Sequence, residues 1–182
     1  MKEIRIHARA GQGAITTAAL VGQAVFAKEK YAYAFPNFGA ARMGAPMNSF
    51  VRIDDKPIRL RSQVYYPDYV LVVDPTLMRG FNVFEGMKEN GIAIINVTKT
   101  TQLPQAPKGI KVYSLAATDI AVEIIKRPLG NTVLLGAFAA ASGLFDLKDL
   151  NNAMEGRFGG EIAKLNQQAA EAGFNYIKEN YK

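Results

Sequence analysis

Apolar and polar residues follow two different periods along this chain. Near the start, Ile4 and Ile6 are out of phase with Arg5 and His7, which is the period-2 alternation of a strand with one buried face. Later, the run from Tyr69 to Val73 is apolar without interruption, which is typical of a parallel strand buried on both faces. On these patterns we expect strands over residues 2–8, 31–35, 47–53, 58–65, 69–74, 91–97 and 111–115.

The helical pattern dominates the second half of the chain. We expect helices over residues 13–28, 81–90, 119–126, 132–145, 147–158 and 160–181. Alternating strands and helices followed by a helical C-terminal tail predict one α/β domain over residues 1–182, with a mainly parallel sheet. The turn-rich segment 54–57 between two expected strands predicts an antiparallel hairpin, which makes the sheet mixed.

Gly11-Gln12-Gly13 lies between the first expected strand and the first expected helix. A glycine turn at a helix start presents unpaired backbone N–H groups and the positive end of the helix dipole, so it suits a phosphate or pyrophosphate. A plain strand-to-helix turn remains the alternative. Thr16 occupies the place of the third glycine of a dinucleotide site, and the second strand ends without an acid. The Gly-Lys-Ser/Thr of a P-loop is also missing, so NAD, FAD and ATP sites are disfavoured.

Arg42 stands in a second loop, between Gly39 and Gly44 and bounded by two prolines. A guanidinium can bind two phosphate oxygens, and this loop follows the second strand, so we expect Arg42 to meet a ligand held on the first loop. A solvated loop arginine is the other interpretation.

The net charge of +6 is unevenly distributed, since residues 1–61 carry ten lysines and arginines but only four acids. This concentration favours an anion site near the glycine loop, although uneven scatter of surface lysines would give the same count. The sequence has no basic stripe interleaved with aromatic residues, so nucleic-acid binding is not expected.

The content of metal-ligating residues is low. The chain has no cysteine, which excludes disulfides and thiolate-bound iron–sulfur or zinc sites within it. The single histidine, His7, is interpreted as a core residue rather than a ligand. The charged start is no signal peptide, and the longest apolar run, 132–145, is too short to span a membrane, so we expect a cytoplasmic protein.

Four segments together resemble the gamma subunit of 2-oxoacid:ferredoxin oxidoreductases, most closely the pyruvate type. They are RAGQGAITTAAL, FPNFGAARMGAPMNSFVRI, KPIRLRSQVYYPDYVLVVDPTL and NTVLLGAFAAASGLFDLKDLNNAMEGRF. The resemblance implies a Rossmann-like domain in an enzyme that decarboxylates a 2-oxoacid, reduces ferredoxin and forms an acyl-coenzyme A. This sequence departs from the family pattern at Ala40 and Ala41, where an acid and a second arginine are common.

The resemblance also implies how the work is divided among subunits. Thiamine diphosphate, magnesium and 4Fe-4S clusters belong to the alpha, beta and delta subunits, and this chain contributes to the coenzyme A site without a catalytic residue of its own. For coenzyme A, we expect contacts from Gly11, Gln12, Gly13, Ala14, Thr16, Arg42 and Asn131. Asn131 has an alternative role as a helix N-cap.

Two other functions remain open. The chain could serve an enzyme for 2-oxoglutarate, a branched-chain oxoacid or indolepyruvate, because the substrate pocket lies on other subunits. A stand-alone nucleotide-binding protein is the alternative from a different class.

Overall fold

The computed structural model describes residues 1–37 and 42–181. One six-stranded sheet has the order β2-β3-β1-β4-β5-β6. β1, β4, β5 and β6 are parallel neighbours, whereas β3 is antiparallel to both β1 and β2. The strands are β1 (Lys2–Arg9), β2 (Tyr31–Asn37), β3 (Pro46–Asp54), β4 (Tyr69–Val72), β5 (Ile92–Asn96) and β6 (Lys111–Leu115).

Most helices lie in the second half of the chain, as the sequence predicts. They are α1 (Ala14–Phe26), α2 (Ala117–Ile125), α3 (Asn131–Ser142), α4 (Leu147–Phe158) and α5 (Gly160–Asn180), and a 3₁₀ helix spans Pro75–Arg79. The predicted α/β class, the mainly parallel mixed sheet and the helical C-terminal tail are therefore confirmed. In the part of the chain that the structure describes, no helix is both long and apolar enough to cross a membrane.

The predicted hairpin of residues 47–53 with 58–65 is wrong. Residues 58–65 form no strand, and β3 pairs with β1 and β2 instead. The reason is Arg52, whose guanidinium donates hydrogen bonds to the carbonyls of Leu60, Ser62 and Gln63. Because these carbonyls bond to a side chain, the segment crosses over the sheet rather than extending it.

The predicted helix over residues 81–90 is also wrong, since that segment forms successive turns. Val83 and Phe84 are buried in the smaller core from these turns. Gly86 adopts a φ of +69°, and a Cβ there would overlap the carbonyl oxygen of Tyr65. A left-handed glycine packed against another backbone is incompatible with a continuous helix.

The two faces of the sheet are covered differently. Ile4, Ile6 and Leu71 face the main core, which the helices cover, whereas Val70 and Val72 face a smaller core built with the turns of residues 83–84. Successive strand residues point to opposite faces, so Arg5 and His7 lie on the side of the smaller core. The glycine loop and the helix starts lie on the other side.

Candidate functional site

The glycine loop leads from β1 directly into α1. Gly11 and Gly13 have φ values of +100° and +82°, which a residue with a side chain rarely adopts. Gly13 is the N-cap residue of α1, and no described side chain caps this helix. Since the first N–H groups of any helix lack intrahelical partners, the start of α1 presents hydrogen-bond donors next to the loop.

Asn131 lies against this loop from α3. Its Nδ2 lies 3.4 Å from Thr17 Oγ1, and a Cβ added to Gly13 would come within 2.9 Å of the same Nδ2. The close approach therefore requires a glycine at position 13. Asn131 is the first residue of α3 and its N-cap is Gly130, so the alternative N-cap role is wrong. Two helix N-termini thus meet at one crevice.

A cavity of about 470 Å³ opens at this crevice. Of the site residues predicted from the sequence, it brings together Gly11, Gly13, Thr16 and Asn131. The rest of its wall comes from Arg127 and Asn166 and from the apolar residues Ile125, Leu129, Phe158, Ile162 and Leu165. The cavity wall therefore combines polar groups, one cation and apolar surface.

Sequence reasoning missed Arg127. This exposed arginine precedes Pro128 and stands four residues before Asn131, on the connection between α2 and α3. Its position in the sequence was the available signal. The connection between α2 and α3 leads to Asn131 beside the glycine loop, so a charged residue on that connection lies near the loop too.

Gln12 and Ala14 are adjacent to the cavity without lining it. The Gln12 amide is bonded within the chain, since its Oε1 accepts from Arg9 N at 2.8 Å and its Nε2 donates to Asp74 Oδ2 at 2.7 Å. The Ala14 side chain is buried in the main core. Gln12 thus holds the shape of the loop, and Ala14 anchors the helix start.

Asp74 organises the end of β4 beside the loop. Burial acts to raise the pKa of Asp74, but hydrogen bonds from Thr76 and Gln12 and the charge of Arg9 outweigh it, so the pKa is lowered. Its carboxylate lies 3.2 Å from Arg9 Nε. An ionised Asp74 therefore ties the segment after β4 to the end of β1 and to the middle of the glycine loop.

The second loop contacts the first through its backbone. Gly44 N donates to Ala10 O and Ala10 N donates to Ala45 O, each at 2.9 Å. Arg42 is exposed and does not line the cavity. Gly39, Ala40 and Ala41, on which part of the loop prediction rests, lie outside the described residues.

Part of the excess positive charge of residues 1–61 is compensated by acids from elsewhere in the chain. Lys2, Arg9 and Lys28 form salt bridges with Asp68, Asp74 and the pair Asp146 and Asp149, all of which come from the later part of the chain. The count over residues 1–61 therefore overstates the field at the loop. Arg127, which lines the cavity, comes from the part of the chain with no net charge.

His7 is a buried core residue, as the sequence predicts, with 8% of its surface exposed. Its Nε2 accepts a hydrogen bond from Arg5 Nε at 3.1 Å. Burial and the Arg5 charge lower the pKa of His7 to about 3, so the imidazole is neutral. Among residues 1–37 and 42–181, no group of three or more His, Cys, Asp or Glu is arranged to hold a metal ion.

Comparison with known proteins gives the family. The model of the pyruvate ferredoxin/flavodoxin oxidoreductase family matches residues 3–176. The chain belongs to this family. It is 42% identical over 181 residues to pyruvate synthase subunit PorC of Methanocaldococcus jannaschii, covering 100% of this chain and 99% of that one.

A second relative and a solved structure agree with the assignment. The common gamma subunit of the pyruvate/ketoisovalerate oxidoreductases of Thermococcus litoralis is 44% identical, with 96% of each chain covered. The crystal structure of pyruvate oxidoreductase subunit PORC from Thermotoga maritima matches with a TM-score of 0.82 at 35% identity, covering 96% of this chain and 95% of that one. The resemblance to a gamma subunit of a 2-oxoacid:ferredoxin oxidoreductase is thereby confirmed.

Proposed function

We propose that this chain is the gamma subunit of a cytoplasmic pyruvate:ferredoxin oxidoreductase and that it holds part of coenzyme A in the cavity beside Gly11 and Gly13. The overall reaction converts pyruvate, coenzyme A and oxidised ferredoxin to acetyl-coenzyme A, carbon dioxide and reduced ferredoxin. Alpha, beta and delta subunits would carry thiamine diphosphate, magnesium and the 4Fe-4S clusters. When bound there, the thiamine cofactor supplies the carbon chemistry, and this chain positions the acyl acceptor.

The observation that carries the proposal is the convergence of the α1 and α3 helix starts with Arg127 on one cavity. Helix N-termini attract anions through their free N–H groups and their dipoles, and a guanidinium adds a full charge. Coenzyme A carries a pyrophosphate and a 3′-phosphate, so it offers anionic partners for these groups. Thr16 and Asn131 add neutral hydrogen-bond donors.

The apolar surface fits the rest of such a ligand. Phe158, Ile162 and Leu165 come from α4 and α5 and contribute apolar surface to the cavity wall. This wall suits an adenine ring or the alkyl part of pantetheine, which gain from leaving water. A cavity of about 470 Å³ holds only part of coenzyme A, so the remainder would lie against other subunits. Ile162 is 59% exposed beside the opening, consistent with a surface that another chain completes.

The identity of the 2-oxoacid rests on the relatives alone. One is a pyruvate synthase subunit and another is shared by pyruvate and ketoisovalerate enzymes. No residue of the cavity selects between these acids, because the proposed ligand is the acyl acceptor common to both. A branched-chain oxoacid is therefore the second substrate that this proposal admits.

A calorimetric titration at low salt tests the ligand. The purified chain is titrated with coenzyme A, NADH and ATP, and so are the variants Arg127→Gln and Arg59→Gln. Arg59 is an exposed arginine outside the cavity, so it controls for the loss of one charge. We expect coenzyme A to bind in preference to the other two and Arg127→Gln alone to weaken it by about tenfold or more. Preferential binding of NADH or ATP would overturn the proposal.

A further inference from the structure

Two arginines are buried on the sheet face that the helices do not cover. Arg5 of β1 is 8% exposed and Arg52 of β3 is 1% exposed. Both guanidinium groups donate to backbone carbonyls of irregular segments, at Val83 for Arg5 and at Ser62 for Arg52. They differ in their counter-ions, and Arg52 thus serves as an internal reference for Arg5.

Arg52 has a complete set of partners. Its Nε donates to Glu3 Oε1 at 2.9 Å, and its two terminal nitrogens donate to the carbonyls of Leu60, Ser62 and Gln63. The carboxylate of Glu3 neutralises the buried charge. This is how a buried arginine is normally accommodated, because an unpaired buried charge is costly.

Arg5 has only neutral hydrogen-bond partners, and the charge of Glu85 acts on it without forming a salt bridge. Its Nε donates to His7 and its Nη2 donates to the carbonyls of Val83 and Glu85. Within residues 1–37 and 42–181, no carboxylate lies within 4.0 Å of it, and its Nη1 has no hydrogen-bond partner. Residues 38–41 are Phe, Gly, Ala and Ala, so they bring no acid.

A cavity of about 310 Å³ opens beside Arg5. Asn37, Asn48 and Asn82 line it, and Leu77 and Phe81 add apolar side chains. His7 also lines this cavity, and because its imidazole is neutral it adds no charge there. The site therefore combines one buried cation that has no salt bridge, several amide groups and an apolar surface in a volume suited to a small molecule.

We propose that this cavity binds a short-chain monocarboxylate, whose carboxylate pairs with Arg5 as Glu3 pairs with Arg52. The alkyl part of the ligand lies against Leu77 and Phe81. Glu85 is at the rim and would repel a second acidic group, so the site selects a monocarboxylate over a dicarboxylate. The site lies on the opposite face of the sheet from the glycine-loop cavity and does not depend on coenzyme A binding.

The test uses propionate and propionamide, which have nearly the same shape but differ in charge. The isotope-labelled full chain is titrated with each at constant ionic strength, and resonances of Arg5, His7 and Asn48 are followed by NMR. We expect saturable shifts with propionate and none with propionamide. Glu85→Gln removes the repulsion at the rim and should tighten propionate binding severalfold, whereas the control Glu89→Gln, outside the cavity, should not.

Arg5→Gln should abolish propionate binding, but this variant also loses the hydrogen bonds to residues 83 and 85 and can fail to fold. The decision therefore rests on the wild-type chain and Glu85→Gln. The proposal is overturned if neither shows saturable shifts, if propionamide binds as well as propionate, or if Glu85→Gln weakens binding. The last result would mean that Glu85 is part of the binding group and not a repelling neighbour.

Discussion

Protonation of His7 should make this protein unusually sensitive to mild acid. In the folded chain the imidazole is buried, accepts from Arg5 Nε and has a pKa of about 3, against 6.5 for the free side chain. Between these two pKa values, His7 is protonated in the unfolded chain and neutral in the folded chain. Stability contributed by neutral His7 is complete above the unfolded pKa and is lost as the pH falls from 6.5 towards 3.

The size of the effect follows from the same two pKa values. Each unit of difference is worth about 1.4 kcal/mol, so the full difference corresponds to a ceiling of roughly 5 kcal/mol. By about pH 4.5, roughly 2–3 kcal/mol should already be lost. That is a large share of the roughly 5–15 kcal/mol by which folded domains are stable.

Urea unfolding of the wild-type chain and His7→Gln at about pH 7, 5.5 and 4.5 measures this loss. Glutamine does not titrate and its amide oxygen can accept from Arg5, so the free energy of unfolding of the variant should fall much less over this range. Asp68 and Asp74 have lowered pKa values, and their contributions are lost below this range in both proteins. If the two proteins lose stability in parallel between about pH 7 and 4.5, His7 is not neutral and buried as described.

Two further predictions concern packing and the second loop. In Gly136→Ala the added Cβ overlaps the carbonyl oxygen of Ala170 on α5, so thermal unfolding should show a loss of about 1–3 kcal/mol, whereas Gly156→Ala, with open space around it, should be neutral or stabilising. Equal effects would contradict the close packing of α3 on α5. Arg42 lies outside the cavity, on the loop bonded to Ala10, where we expect it to meet a phosphate of the part of coenzyme A that the cavity does not hold. Arg42→Ala should therefore weaken coenzyme A use by the assembled enzyme about ten- to hundredfold while pyruvate decarboxylation persists, as initial-rate assays would show. Equal loss of both activities would indicate failed assembly.

The sequence predicted those parts of the fold that depend on local pattern. The uninterrupted apolar residues of β4 indicated a parallel strand, and α4 begins and ends where its pattern predicts. The glycine loop was predictable for the same reason, since a helix start and two glycines are local features. The proximity of Asn131 to this loop came from the family resemblance and is seen in the structure.

The failures have a common cause, which is a long-range contact that overrides local preference. Residues 58–65 alternate like a strand, but Arg52 binds their carbonyls. Residues 81–90 resemble a helix, but Gly86 packs in a left-handed conformation against the backbone of Tyr65. Arg127 was missed because its role depends on where the connection after α2 lies in space.

The most direct test of the proposed coenzyme A site is the dependence of acetyl-coenzyme A formation on coenzyme A concentration in the assembled oxidoreductase. The comparison includes the wild-type enzyme, Arg127→Gln and the control Arg59→Gln. We predict that Arg127→Gln raises the KM for coenzyme A by about tenfold or more and leaves the KM for pyruvate unchanged. Arg59→Gln should leave both KM values unchanged. An unchanged KM for coenzyme A in Arg127→Gln would contradict the assignment of this cavity to the acyl acceptor.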